Sequence, residues 1–153
     1  SESLVFYSRT LAVPPRRNVD SPDVIMGAKI FKSVRCVSCH TPSFTTGTSD
    51  VASLSHQKIY PFTDMLLHDM GEGLADGRQD FLANGREWKT RPLWGIGLTQ
   101  VVNPRAGYLH DGRARTLEEA ILWHGGEASY SLNQFIQLNR TQRRQLIEFL
   151  KSL

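Results

Sequence analysis

The sequence predicts a mainly α-helical fold with long loops, and three observations carry that expectation. Apolar residues recur at helical spacing behind the starts Ser21-Pro22, Thr116 and Asn139. No segment alternates apolar and polar residues as a half-buried strand would. The stretches between helices are rich in glycine, serine and threonine. The 153 residues fit a single domain, 1–153. A chain of 17.3 kDa exposes roughly 7,800 Å² when compactly folded and roughly 25,000 Å² when extended, so a core can form without disulfide staples. Hydrophobic residues are 40% and charged residues 22%, which excludes disordered and fibrous classes. No apolar run reaches the ~18 residues of a membrane span. The net charge is +3, and no basic block exceeds Arg16-Arg17 or Arg143-Arg144, so no nucleic-acid partner is expected.

Taken in order, Leu4, Phe6-Tyr7 and Leu11 suggest a short helix over 3–12, ended by Pro14-Pro15. Ser21 as N-cap and Pro22 at the first helical position start a second helix. Ile25, Ala28 and Phe31 continue it toward Cys36. Residues 41–63, 69–80 and 103–113 read as loops, and Thr90-Arg91-Pro92 breaks any element there. Thr116 caps a third helix whose first turn holds Glu118 and Glu119, and Gly125-Gly126 stops it. Asn139 caps a last helix with Leu146, Phe149, Leu150 and Leu153 on one face.

The two cysteines, Cys36 and Cys39, stand three apart and His40 follows. That arrangement arises by chance in about 1 of 2,300 sequences of this composition, and it reads as c-type haem attachment. Two thiols add to the haem vinyl groups, and the adjoining imidazole becomes the proximal iron ligand. Three other readings compete. A thioredoxin-like CxxC needs a preceding strand and a βαβ context. A zinc site needs two more ligands at suitable spacing. A disulfide across two residues closes a strained ring. One covalent haem c is therefore expected, within a cytochrome c-like domain whose long loops wrap around it. Covalent attachment occurs outside the bacterial cytoplasmic membrane, so the chain is expected to be exported to the periplasm.

A second axial ligand would make the haem an electron carrier, and an open position would make it reactive. Leu117, Ala120, Ile121 and His124 form one helical stripe, which makes His124 the leading candidate. An ordinary core histidine is the competing reading. Met70, in a glycine-flanked loop, is the rival ligand, while Met65 beside Leu66 and Leu67 reads as packing. His68-Asp69 and His110-Asp111-Gly112 read as turns or as polar groups near the haem. Lys89, Arg91, Arg105, Arg113 and Arg115 form a basic group that could pair with haem propionates. Trp88, Trp94 and Trp123 are expected in the core.

Several blocks resemble a known family. Gly27-Ala28-Lys29-Ile30-Phe31 followed by Cys-Val-Ser-Cys-His-Thr-Pro is similar to the C-terminal haem domain of the bacterial di-haem cytochrome c peroxidase superfamily. His68-Asp69-Met70-Gly71-Glu72-Gly73-Leu74-Ala75-Asp76-Gly77 resembles its di-haem "thiol oxidoreductase" branch. So do Glu87-Trp88-Lys89-Thr90-Arg91-Pro92-Leu93-Trp94 and the segment from Tyr108 to Ile121. The resemblance runs from about residue 27 to the end. It implies that this chain is the C-terminal half of a longer di-haem protein. That half takes electrons from a donor protein and passes them to an N-terminal, peroxidatic haem absent from this chain. In the peroxidases a methionine at the end of the helix after the Tyr-x-His-x-Gly segment binds this haem, and His124 stands there instead. The departure suggests His40 and His124 as the ligand pair. The resemblance also sets Lys89 or Arg91 beside a propionate edge. The alternatives are a self-contained mono-haem peroxidase-like enzyme, or a haem sensor of small gases.

Overall fold

The computed structural model describes residues 1–153, and helices dominate it as the capping pattern predicts. Six α-helices run in chain order: α1 Glu2–Arg9, α2 Pro22–Ser33, α3 Thr99–Val102, α4 Leu117–Leu122, α5 Ser129–Gln137 and α6 Arg140–Ser152. The Thr116 hydroxyl accepts the Glu119 N–H at the start of α4. Asn139 and Gln142 cap α6 reciprocally, each side chain accepting the other's backbone N–H. Ser21 takes the N-cap position of α2 with no side-chain bond, leaving Pro22 to set the first turn.

Four features depart from the expectations. Helix α2 stops at Ser33 rather than reaching Cys36. Arg35 turns into the left-handed region at φ 63°, and a separate 3-10 turn, Cys36–Ser38, carries the first cysteine. Helix α5 lies in a segment for which no helix was expected. Two short antiparallel pairs occur where no strand was expected: β1 Phe44–Thr45 with β2 Lys58–Ile59, inside the expected 41–63 loop, and β3 Leu67–Asp69 with β4 Glu87–Lys89. In the second pair His68 stands opposite Trp88. These strands hold two or three residues each, too few for an alternation to register. Finally, none of the three tryptophans is core. Trp88 and Trp94 are half-buried and Trp123 is exposed. Trp88 stacks on His110 with centroids 3.6 Å apart, and the Arg113 guanidinium lies 4.9 Å from the Trp123 ring centre, so polar partners cover rings that the core does not.

The core is where α2 crosses α6. Val24, Ile30 and Phe31 meet Leu146, Phe149, Leu150 and Leu153, with Phe62, Leu93, Leu117 and Phe135 completing one buried cluster. Phe31, Phe62 and Phe149 form a triangle with centroids 5.2 to 6.0 Å apart. Gly27 sits at the crossing because α6 leaves no room for a side chain: a Cβ there would lie 2.0 Å from the Gln145 carbonyl oxygen. Thr63 is fully buried. Its hydroxyl donates to the Thr90 carbonyl at 2.6 Å and accepts the Met65 N–H at 2.9 Å, locking the segment after Phe62 onto the end of β4. The end of α6 is pinned by Arg17 N–H to Ser152 O and Gly95 N–H to Leu153 O, both 2.8 Å.

Helix α1 buries no residue and is held by the exposed Arg9–Asp50 ion pair. Phe81 and Leu82, at the tip of the β3–β4 connection, are 93% and 97% exposed. Met65, Leu66 and Leu67 are exposed too, so the packing role expected for Met65 is not realised. The accessible surface is 10115 Å², against roughly 7,800 Å² for a compact chain of this mass. No helix is long and apolar enough to cross a membrane.

Candidate functional site

The 3-10 turn after α2 brings the CxxCH residues together. His40 N–H donates to the Cys36 carbonyl at 2.9 Å, folding the imidazole back beside the two sulfurs. Cys36 and Cys39 are both half-buried there. Burial pushes the Cys36 thiol up to about 12. Cys39 is raised as well, by burial and then by the Asp64 and Glu127 carboxylates.

The His40 ring packs against Phe31 at the edge of the core. Its Nδ1 lies 2.9 Å from the Phe62 carbonyl oxygen. A carbonyl only accepts, so Nδ1 carries the proton and Nε2 presents a lone pair. Phe62 directs that carbonyl from a left-handed backbone, φ 54°. Burial, and to a lesser extent His124, bring the His40 pKa down to about 4.

His124 lies just past α4, after the C-cap Trp123, with its backbone N–H bonded to Ile121 O. Its Nδ1 is 2.8 Å from the Ala120 carbonyl oxygen, which again fixes the proton on Nδ1 and frees Nε2. Burial pushes its pKa down, so this ring too is neutral at neutral pH. Two neutral imidazoles, each tied through Nδ1 to a main-chain oxygen and each offering Nε2, form the donor set that a six-coordinate haem iron requires. Cys36 and Cys39 supply the thiols on the same turn as His40. The residues present therefore fit a covalent haem c.

The rival ligand is close by. The main chain of Met70 packs on the turn that follows His124, where a Cβ on Gly125 would lie 3.0 Å from Met70 O. A Cβ on Gly126 would lie 2.1 Å from Asp69 O. Gly125-Gly126 thus does more than stop α4, since it admits the 69–71 loop against the His124 turn. His56 and Met26 are exposed, and His110 is engaged with Trp88.

Lys89 and Arg91 both lie exposed at the end of β4, on either side of buried Thr90. Neither is paired with a carboxylate. Arg113 is committed to Asp111 at 2.7 Å.

The sequence reading missed one pairing. His68, expected in a turn or as a polar group near the haem, is clamped between two carboxylates: Nε2 to Asp64 and Nδ1 to Glu127, each 2.8 Å. The bond to Glu127 raises its pKa most, with Asp64 adding to it. Glu127 is lowered in turn by His68 and by the Asp69 N–H. Asp64, which burial alone would raise, is held low by the Leu66 N–H, His68 and Thr90. The Cys39 sulfur, an Asp64 oxygen and a His68 nitrogen lie within 4.8 Å of one another. Asp64 precedes His68 by four residues, but Glu127 is 59 residues away in the chain, and no local signal joins them.

The family described as "Di-haem oxidoreductase, putative peroxidase" matches residues 1–153. Cytochrome c551 peroxidase from Nitrosomonas europaea is 29% identical over 140 residues, covering 90% of this chain and 36% of that protein. The chain thus spans about a third of the length of this relative. No solved structure matches it. From the full-length family match, the chain belongs to the di-haem oxidoreductase family, and haem is the cofactor that membership implies.

Proposed function

We propose that this chain is a haem c electron-transfer domain of a periplasmic di-haem oxidoreductase, relaying electrons from a donor protein to a second, peroxidatic haem outside residues 1–153. Cys36 and Cys39 attach the haem, and His40 and His124 are its axial ligands. Bound there, haem supplies a one-electron Fe(III)/Fe(II) couple. The protein's part is to hold two imidazoles neutral and aimed. The observation that carries the reading is the pair of main-chain bonds from Phe62 O and Ala120 O to the two Nδ1 atoms. A filled sixth position serves electron transfer and leaves no place at this iron for a substrate.

The domain assignment, a cytochrome c-like unit forming the C-terminal half of a longer protein, is supported by two further facts. The family is di-haem, whereas this sequence holds one CxxCH. The surface is also larger than a compact chain of this size needs, with apolar residues on α1 and at Phe81-Leu82 open to packing against more protein. Lys89 or Arg91, free of carboxylate partners at the end of β4, pairs with a propionate.

Spectroscopy of the purified holoprotein tests the ligand set. A low-spin ferric spectrum without the weak far-red band of methionine-ligated haem is expected. His124→Ala should give high-spin iron that binds carbon monoxide when reduced, and His124→Met should raise the reduction potential. If His124→Ala leaves the spectrum unchanged while Met70→Ala makes it high-spin, Met70 is the ligand. A high-spin wild-type spectrum would instead favour a peroxidase-like or gas-binding haem.

A further inference from the structure

We propose that His68 is a positioning residue for the distal haem ligand: held between Asp64 and Glu127, it locks the His124 turn onto the loop beside the haem-bearing cysteines. The inference rests on the reading of His124 as that ligand.

The turn 124–127 touches the 68–71 loop at three levels. Main chain meets main chain where Gly125 and Gly126 abut Met70 O and Asp69 O. The Glu127 Oε1 accepts the Asp69 N–H at 2.9 Å. The Glu127 Oε2 accepts the His68 Nδ1–H at 2.8 Å. On its other side His68 Nε2 donates to Asp64 at 2.8 Å, and Asp64 is anchored by the Leu66 N–H at 2.9 Å and by Thr90. Both ring nitrogens donate at once only in the imidazolium, so the clamp is two charge-assisted bonds sharing one cation. The His68 and Asp64 side chains are 16% and 13% exposed, dry enough for those bonds to outlast salt screening, whereas Glu127 is 56% exposed.

The chain of contacts runs from Cys39 through Asp64, His68 and Glu127 to a residue three positions after His124. Without His68, the turn keeps the Glu127 bond to the Asp69 N–H and the main-chain contacts at Gly125 and Gly126, but it loses its tie to Asp64 and to the side of the site that holds Cys39. The Ala120 carbonyl orients the distal imidazole, and the hold on the turn that carries it is assigned to a group that never touches the iron.

Cyanide entry at ferric haem in the holoprotein is the measurement, because cyanide binds only when the distal ligand leaves. His68→Ala should accelerate it about tenfold or more, as expected for losing a charge-assisted bond. Glu127→Ala, at a half-exposed position whose loss the fold tolerates, should do the same. The double variant should be no faster than Glu127→Ala alone, since Glu127 also holds the Asp69 N–H and His68 acts on the turn only through it. Far-UV circular dichroism should be unchanged in all three. The electron paramagnetic resonance anisotropy, which reports the relative orientation of two axial imidazoles, should broaden. Unaltered cyanide rates in both single variants would overturn the proposal, as would factors that multiply in the double variant. His124→Ala separates the two levels. If it fails to speed cyanide binding, the ligand reading itself falls. If it succeeds while the His68 and Glu127 variants match wild type, only the clamp falls.

Discussion

Replacing Gly27 by alanine sets two effects of known sign against each other at the α2–α6 crossing. Helix propensity favours alanine in a helix interior by about 0.5–1 kcal/mol. Space opposes it. The new methyl would stand 2.0 Å from the Gln145 carbonyl oxygen and 2.7 Å from the Phe149 Cβ, and ordinary contact begins at 3.4 Å. The missing 1.4 Å cannot come from a rotamer change, because the nearest obstacle is α6 backbone. The helices must separate, and the Phe31–Phe149 contact at 5.2 Å opens with them. Overpacking of this kind costs about 1–3 kcal/mol, and a backbone obstacle belongs at the upper end, so a net loss of about 2 kcal/mol is expected. For a chain this size that lowers the melting temperature by about 4–8 °C. Because α2 leads directly into the CxxCH turn, the Soret band should also shift. Urea unfolding of the holoprotein, followed by circular dichroism and haem absorbance, measures both. Gly47→Ala is the control, since nothing lies within 4 Å of its added methyl, and it should change stability by about 0.5 kcal/mol or less. Gly27→Ala as stable as wild type would show that propensity outweighs the contact and that the crossing is looser than described.

Thr63→Val keeps the shape of a fully buried side chain but orphans the Thr90 carbonyl and the Met65 N–H; a loss of about 1–3 kcal/mol is expected from urea midpoints, and a loss under about 0.5 kcal/mol would refute a structural role for the hydroxyl. Stability should also depend on pH through the His68 clamp. The His68 pKa is raised in the native state, so its contribution is complete below the ordinary value of 6.5 and is lost as pH climbs through the native one. Glu127 is lowered, so its contribution is present above 4.5 and is lost on acidification. Unfolding midpoints should therefore peak between those values, and the alkaline decline should shrink in His68→Ala; an equal decline in both proteins would contradict the clamp.

What could be read from the sequence was whatever a short window encodes. The CxxCH spacing, the Thr116 and Asn139 caps and the Gly125-Gly126 stop are local chemistry, and each recurs in the structure. His124 stood out in the sequence because an expected helical stripe and a motif needing a second ligand pointed to one residue, whereas α4 ends at Leu122 and leaves His124 in the turn that follows. Helix α5 was missed although Leu132, Phe135 and Ile136 share one face of Ser129 to Gln137, because no side-chain cap marks its start. Paired strands of two or three residues fall below any periodicity. The tryptophans misled because size alone suggested burial, whereas guanidinium and imidazole faces cover Trp123 and Trp88. The clamp was invisible because Glu127 joins His68 only through tertiary folding.

The two kinds of histidine restraint differ in how a lineage could lose them. His40 and His124 are oriented by oxygens of the peptide chain at positions 62 and 120, and every amino acid placed there carries the same oxygen. Nucleotide changes in those codons alter side chains and leave the acceptors standing, so the tautomer of both imidazoles is inherited with the backbone path. His68 depends instead on carboxylates encoded by two codons, and one change in either removes a partner. Across relatives, drift should therefore spare the protonation pattern of His40 and His124 while the strut behind them comes and goes as a unit, with Asp64, His68 and Glu127 replaced together.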